Sequence, residues 1–553
     1  MQIILDEMYH WRSGEHNGLL YYYAGSQDAV ETLVAKAGNL NIHRIGRLAR
    51  RLAGHFGVII DQGCSIVAVC DHVRSYPIFY CKNAVSNSAR VLRDKYRMFC
   101  HDELSALEFI MSGYVTGRDT LYRGLHQVQA GEIVCMKDNV RQHRYYSYLP
   151  VHPQTASTDA LLEDLNSVSN SIFSDIAQEA EDRPILIPLS GGGDSRLLLY
   201  KLKELGCRDV SAFTYGPWGS EEAKTARRIC QFLGVPWTFV HYTKAKFRRL
   251  TRNPIYLKYL DYAGQFCSTP ITTELPALLE LNPPKDTIII PGHCGSWAGG
   301  GVHPPQRMFD LDIESDEVVK YILEKHYSLW PEYLTPANIR KIANKIESTI
   351  GISTACRPEG YYRMWDWQEA ESKYFVNSVR TYDFLGLEWR LPLCDVRWLN
   401  FWRDRVPLAF KFRKRLYKSY LARFFGPQSA ETNSTMWPGL ALSSVAIARI
   451  VGCCAGHKYK DIAYKHLSWF SQNGAMYGIH TAMDLLKNAH RIRGVVSLNA
   501  RKYLALNDFC PRIGDEAVCP KTLIPLRGQK CLVPLYPSIM EPDISCEGCK
   551  YKV

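Results

Sequence analysis

The chain has 553 residues, 46% of them hydrophobic and 22% charged, with a formal net charge of +12. That length accommodates two to four domains with sizeable cores, and the balance of apolar to charged residues excludes a disordered or fibrous chain. The positive charge is scattered and accompanies no nucleic-acid-binding motif, so no nucleic acid is expected as a partner.

The first sixteen residues, MQIILDEMYHWRSGEH, place Asp6, Glu7 and Glu15 where a secretory signal needs an unbroken apolar run, so a cytoplasmic protein without a transmembrane segment is expected. Up to about residue 150, short β-rich runs alternate with turns: Leu19 to Tyr23, Gly57 to Asp61, Ser65 to Val69, Ile78 to Tyr80 and Glu132 to Met136. Helical patches fall at Val30 to Ala37 and Leu104 to Met111, which predicts an α+β arrangement with antiparallel sheets.

From about 155 to 182 apolar residues recur at helical spacing, and the chain then reads PILIPLSGGGDSR over Pro184 to Arg196. Ile185 to Leu189 predicts a short buried strand, and Leu197 to Leu202 a helix that Gly206 can stop. Between them lie Ser190, Gly191, Gly192, Gly193, Asp194 and Ser195. Glycines allow close backbone approach, and the N–H groups at a helix start point at whatever anion sits there, so a strand–glycine turn–helix unit suits phosphate oxygens. Asp194 would repel a phosphate unless a divalent cation lay between them, which makes it the candidate Mg²⁺ ligand. The spelling lacks the Gly-Lys-Ser/Thr ending of a Walker loop and the spacing of a dinucleotide fingerprint.

Asp209 to Gly216 predicts a second strand, Glu221 to Leu233 a helix, and Pro236 to Tyr242 a third strand. That alternation predicts a parallel, doubly wound sheet with its site at the strand C-termini. A further strand, Thr287 to Pro291, runs into Gly292-His293-Cys294-Gly295-Ser296-Trp297-Ala298-Gly299-Gly300-Gly301. Residues 315 to 385 read as largely helical, including Ser315 to His326 and Trp365 to Asp383, followed by Glu388-Trp389-Arg390-Leu391-Pro392-Leu393-Cys394-Asp395. A basic cluster, Lys411 to Lys418, opens a helix expected to run to Phe425. It suits a solvated face, an anionic substrate, or peripheral contact with an anionic membrane surface.

The longest apolar stretch, Gly439 to Gly456, carries Arg449 and reads as a buried helix. Most of the 18 cysteines sit singly in apolar runs as reduced core residues, whereas Cys510, Cys519, Cys531, Cys546 and Cys549 crowd the tail with one Cys-x-x-Cys, a weak zinc signal in a segment expected to be poorly ordered.

SGGGDS resembles the pyrophosphate loop, SGGxDS, of ATP pyrophosphatases. Beyond it, Gly54 to Asp61, Asp71 to Tyr80, Ser112 to Gly117 and Thr120 to Leu125 resemble the glutaminase half of the asparagine synthetase family, and Glu388 to Asp395 matches that family's E-x-R-x-P-[FL]-x-D signature. The resemblance covers roughly residues 50 to 505. It implies a glutaminase-like (Ntn-hydrolase-like) α+β sandwich over 1–150, an ATP pyrophosphatase domain with added helices over 151–505, and a cysteine-containing tail over 506–553. The family's glutaminase uses a cysteine directly after the initiator methionine. Gln2 follows Met1 here and the first cysteine is Cys64, so this half is expected to be a degenerate scaffold that does not hydrolyse glutamine. In the family's second glycine loop an aspartate and a glutamate face the nucleotide; Ser296 and Trp297 stand in their places.

Carried onto this sequence, the resemblance implies that ATP with Mg²⁺ binds at Ser190 to Ser195, Thr214, Tyr215 and Gly292. Glu388 and His293 become candidate catalytic groups, and Arg390 and Ser296 candidate substrate contacts. The family's pyrophosphate-binding lysine has no counterpart in Pro427 to Pro438, which leaves Lys418 or Lys414 for that role. The variant spelling looks closest to a branch found in bacterial O-antigen and surface-polysaccharide gene clusters. This implies amide formation on a sugar carboxylate, carried on a nucleotide or lipid diphosphate, with nitrogen from ammonia or a separate glutaminase; a homodimer is compatible with it. An asparagine synthetase using ammonia, a peptide or lactam cyclase, and a catalytically dead nucleotide-binding scaffold are the alternative readings.

Overall fold

The computed structural model describes residues 1–37, 41–150, 156–301, 315–330, 333–351, 358–426, 495–507 and 509, and the short strands Arg512–Ile513 and Glu516–Ala517. The apolar stretch Gly439 to Gly456, the segment Pro427 to Pro438 and the tail cysteines lie outside the described residues.

The chain is mixed α/β and α+β, as expected. Its N-terminal half builds two sheets. Strands β1 (Gln2–Ile4), β2 (Arg12–His16), β3 (Leu19–Gly25), β4 (Phe56–Asp61), β5 (Ile66–Cys70), β6 (Phe79–Cys81), β7 (Ala84–Ser86), β8 (His126–Gln127), β9 (Glu132–Met136) and β10 (Val140–Arg144) sort into the orders β10-β9-β5-β4-β3-β2 and β1-β7-β6-β8. Every pairing is antiparallel except β1 with β7.

The two-residue period of a strand assigns the faces. On β4, Val58 and Ile60 pack towards the helices Gln27–Ala37 and Ile42–Ala49, while Ile59 points the other way into a core shared with Ile66, Ala68, Tyr80, Val85, Val134 and Met136. Phe79 and Ala84, one residue out of phase with Tyr80 and Val85, face the helices Ala89–Lys95 and Glu103–Ser112. A helix–sheet–sheet–helix stack results, because the strands β4, β5, β6 and β7 are buried on both faces.

The second half is organised on a five-stranded, wholly parallel sheet. It comprises β11 (Ile185–Pro188), β12 (Val210–Gly216), β13 (Trp237–His241), β14 (Ile288–Ile289) and β15 (Glu388–Trp389), in the order β13-β12-β11-β14-β15. Strands β11 to β13 add in one direction; β14 then returns to the free side of β11. The order therefore reverses between β11 and β14, where the loops leaving the two strand ends diverge and open a crevice.

The helical stretch expected from Trp365 to Asp383 is continuous in path but changes pitch. It passes from an α-helix (Pro358–Trp365) through a wide π segment (Asp366–Phe375) and a tight 3-10 turn (Val376–Val379) into Arg380–Phe384. Within the π segment Lys373 and Glu369 form a fully buried ion pair, N···O 2.5 Å. Lys373 also donates to the carbonyls of Val115 and Gly117 at 3.0 and 2.6 Å, and Glu369 accepts the Gly117 N–H at 3.0 Å. The turn after Ser112 in the first half is thus clamped to the helix that backs the second.

Removing one partner of such a pair leaves an uncompensated buried charge, a loss of about 3–5 kcal/mol. Lys373→Met is expected to lower unfolding free energy by that amount in urea titration, and adding Glu369→Leu to restore part of it.

Candidate active site

The glycine turn leaves β11 at the sheet's C-terminal edge and enters the helix Gly193–Glu204. Gly191 has φ +74°, a conformation that disfavours any side chain, and a Cβ there would also stand 3.2 Å from Thr225. The helix is capped by Gly192 with no side-chain bond, so its first-turn N–H groups face the crevice without a side-chain competitor. The Ser190 hydroxyl accepts the Gly192 N–H at 3.3 Å and lies 3.4 Å from the Ser195 hydroxyl, closing the turn on itself.

The second glycine loop comes from β14, the neighbour across the reversal point, and packs directly on the first. A Cβ on Gly292 would lie 2.9 Å from the Ser195 nitrogen, and one on Gly295 would lie 2.9 Å from the Asp194 carboxyl carbon and 2.5 Å from Leu393. A larger residue would press on the backbone of the opposite loop at position 292 and on the Leu393 and Asp194 side chains at position 295.

Asp194 is the meeting point. Its carboxylate accepts the Ser296 N–H at 2.8 Å, the Ser296 hydroxyl at 3.0 Å and the Tyr417 hydroxyl at 2.7 Å. Lys414 in turn donates to the Ser296 hydroxyl at 3.1 Å. Burial raises the proton affinity of Asp194, and the donors from Ser296 and Tyr417 together with the Lys414 charge oppose that rise. Among the described residues no group of three or more His, Cys, Asp or Glu side chains could hold a metal ion. A cation here would rest on Asp194 and on phosphate oxygens, a ligand set Mg²⁺ accepts, with one of the three donors giving way.

The basic cluster is folded differently from expectation. The helix starts at Arg415, because Arg413 (φ +51°) and Lys414 (φ +60°) are left-handed and break the run. Lys411 is buried, which pulls its pKa down to about 7, and the break turns Lys414 towards Ser296. Lys418 lies one turn further on and is half-buried; of the two candidates, Lys414 is the one the structure brings to Asp194 and Ser296. Tyr417 and Leu421 follow Lys414 at helical spacing, and a Cβ on Gly193 would meet Leu421 at 2.5 Å. That face, Lys414–Tyr417–Leu421, was the missed signal.

Glu388 and Arg390 are not brought to the glycine loops. Glu388 pairs in register with Ile288, and Ile288 with Ile185, so it sits at the N-terminal edge of the sheet. Ser190 lies five positions beyond Ile185, a distance of about 16 Å along an extended chain. There Glu388 pairs with Arg183 at 3.2 Å and with Arg390 at 3.1 Å, and Arg390 also binds Glu179. Asp395 caps the helix Val396–Asn400 and pairs with Arg397 at 2.9 Å. Within the matched signature, Glu388 and Arg390 thus form an ion network at this edge, away from the glycine loops.

His293 does reach the crevice loop. Its Nε2 lies 2.7 Å from the Ser378 hydroxyl, its buried Nδ1 has no partner among the described residues, and burial lowers its pKa to about 4. It is neutral at physiological pH. Trp297, in the place of the expected glutamate, is buried and donates to Asp366 at 2.6 Å. Acidic side chains stand behind the loop instead: Glu371 accepts from the Cys294 thiol at 3.6 Å, and burial, with Asp366 nearby, raises the proton affinity of Glu371. Thr214 is occupied inside the sheet, donating to the Leu189 carbonyl at 2.7 Å and accepting from the Trp237 indole at 3.0 Å. Tyr215 stacks on Tyr242 with centroids 5.1 Å apart, level with Ser190 at the same sheet edge.

In the first half Gln2 lies in β1, its N–H bonded to the Asn83 carbonyl at 3.0 Å, and Cys64 is exposed in the β4–β5 turn.

Residues 177–272 match the family model described as asparagine synthase, a span that contains the first glycine turn and β11 to β13. No curated protein matches the chain. Among solved structures, the NH3-dependent NAD synthetase of Campylobacter jejuni is 14% identical, over 34% of this chain and 94% of that one, with a TM-score of 0.20. A U34-tRNA thiolase of Methanococcus maripaludis is 12% identical over 41% and 78%, with a TM-score of 0.18. The glutamine phosphoribosylpyrophosphate amidotransferase of B. subtilis is 11% identical over 52% and 59%, with a TM-score of 0.14. At such scores these likenesses carry no argument. No described helix is long and apolar enough to cross a membrane.

The two edges of the sheet should respond oppositely to mutation. Gly191→Ala forces a left-handed alanine, costing about 1–2 kcal/mol, and should weaken Mg·ATP binding at least tenfold in calorimetric titration. Glu388→Gln, in a half-exposed pair, should change stability by less than about 1 kcal/mol and leave ATP affinity within twofold.

Proposed function

We propose that this protein is an ATP-dependent, AMP-forming carbon–nitrogen ligase, which joins a carboxylate to ammonia or an amine. One observation carries the reading: two glycine loops from adjacent strands meet at the reversal point of a parallel sheet, over a helix start that no side chain caps. The match of residues 177–272 to the asparagine synthase model supports it.

In this reading the Ser190 and Ser195 hydroxyls and the first-turn N–H groups after Gly192 hold the phosphate oxygens. Lys414 neutralises charge on the departing pyrophosphate, the role expected of Lys418. Asp194 and the phosphates would hold Mg²⁺, which supplies charge neutralisation between them. The substrate carboxylate attacks the α-phosphorus of ATP, giving an acyl-adenylate and pyrophosphate, and the amine then displaces AMP. Aligning the two reactants in the crevice would contribute about 7–11 kcal/mol of the barrier reduction. With Thr214 occupied, adenine contacts at this edge come from backbone and from Tyr215.

The substrate we propose is a uronic acid on a nucleotide or lipid diphosphate, as in surface-polysaccharide synthesis. Support comes from the exposed Arg413 and Arg415, which flank Lys414 and suit a second diphosphate. Nitrogen comes from ammonia or a separate glutaminase, and residues 1–150 serve as a degenerate glutaminase-like scaffold.

Pyrophosphate release is the test, with ATP, Mg²⁺ and ammonium and either UDP-glucuronate or aspartate. Release with UDP-glucuronate, with AMP and the uronamide in the mass spectrum, is expected. Release with aspartate instead would replace the sugar reading by asparagine synthesis. ATP binding without release on any carboxylate would contradict the ligase reading and favour a nucleotide-binding scaffold.

A further inference from the structure

An amine attacking an acyl-adenylate must lose a proton, and neither candidate first named for such work suits it. Glu388 lies at the far edge of the sheet, and His293 binds a proton too weakly to accept one near neutrality. A different carboxyl occupies the right edge. Glu274 lies at the N-terminus of the helix Leu275–Leu281 but makes no capping bond. Its Oε2 accepts the Tyr382 hydroxyl at 2.6 Å, and it is also hydrogen-bonded to the Tyr215 side chain, which is level with Ser190 in the sheet. Ser378 and Tyr382 are one turn apart on a single helical path, so the segment that holds His293 through Ser378 also holds Glu274 through Tyr382.

Among the described residues the carboxyl has no ionic partner. The titratable groups acting on it are phenols: Tyr215, Tyr382, and, around them, Tyr242 and Tyr259. The last two are occupied elsewhere, donating to the Thr273 and Ile271 carbonyls at 2.6 Å each. Of the nearby ions, Glu280 is paired with Lys246, and Arg380 with Asp383 at 2.7 Å. Burial raises the Glu274 pKa to about 7, against the two phenol donors that lower it. The residue as a whole is half-buried.

We propose that Glu274, oriented by Tyr382 and Tyr215, is the base that takes the proton from the attacking amine in the second step of the ligase reaction. The inference rests on the ligase reading. As the nitrogen–carbon bond forms at the acyl carbon, the ammonium-type proton passes to the Glu274 carboxylate. The bond from that carbon to the adenylate oxygen then breaks, and AMP leaves with the electron pair. Tyr382 and Tyr215 are positioning residues.

The experiment uses the full chain with ATP, Mg²⁺, ammonium and whichever of UDP-glucuronate or aspartate releases pyrophosphate. In Glu274→Gln, carboxylate-dependent ATP–pyrophosphate exchange should stay within twofold of the parent, while amide formation falls about 100-fold or more. Hydroxylamine, whose adduct with the acyl carbon is more acidic and gives its proton to water, should restore product as the hydroxamate. In the parent, amide formation should rise with pH through about 7, as Glu274 loses its proton. Tyr382→Phe removes a donor that lowers proton affinity and should move that rise to higher pH. The proposal is overturned if Glu274→Gln makes amide at the parental rate with the parental pH profile, or if exchange and amide formation fall together with no rescue by hydroxylamine. Absence of exchange in the parent itself, with either carboxylate, would instead sink the ligase reading and Glu274's role with it.

Discussion

The second half of this protein depends on one carboxylate. Asp194 receives the Ser296 N–H and hydroxyl from the loop after β14 and the Tyr417 hydroxyl from the helix Arg415–Phe425, so three segments distant in sequence converge on the first turn of one helix. A half-buried carboxylate would otherwise be costly. The donors from Ser296 and Tyr417 offset that cost, and they also set the spacing between the two glycine loops. Gly292, Gly295 and Gly193 are consequences of the same convergence: each stands where another segment comes within contact of an absent Cβ.

The convergence explains why a loop without an acidic pair can still border the proposed nucleotide site. Carboxyl groups stand behind the loop in place of the acidic pair, Asp366 bonded to Trp297 and Glu371 to Cys294. Positive charge is brought to the loop itself. The left-handed pair Arg413–Lys414 interrupts the basic run and delivers one lysine to Ser296, where a continuous helix would have carried it elsewhere. The crevice therefore presents backbone N–H groups, hydroxyls and an ammonium, the donor set that suits phosphate oxygens.

Much of this was legible in the sequence. The strands Leu19 to Tyr23 and Glu132 to Met136, the helix Glu221 to Leu233, and the strand–glycine turn–helix at Pro184 to Arg196 follow from periodicity and punctuation, and the structure has them there. Local pattern does not reveal strand register. Glu388 carries a matching motif, yet its pairing through Ile288 to Ile185 puts it at the wrong end of the sheet, a fact that exists only once β14 and β15 are aligned. Lys414, and not Lys418, meets Ser296 for a related reason: two residues at positive φ rotate the helix face, and no propensity marks Arg413 or Lys414 for that conformation. Glu274 was invisible because its surroundings are assembled from Tyr215 and Tyr382, far apart in the chain.

Backbone amide hydrogen exchange with and without Mg·ATP bears most directly on the central claim, that the two glycine loops form one phosphate cradle tied through Asp194. The account predicts slowed exchange over Gly191 to Arg196 and over Gly292 to Trp297 together, and no change across Glu388 to Arg390. Protection confined to one loop, or appearing at the Glu388 edge while both loops exchange as before, would contradict it.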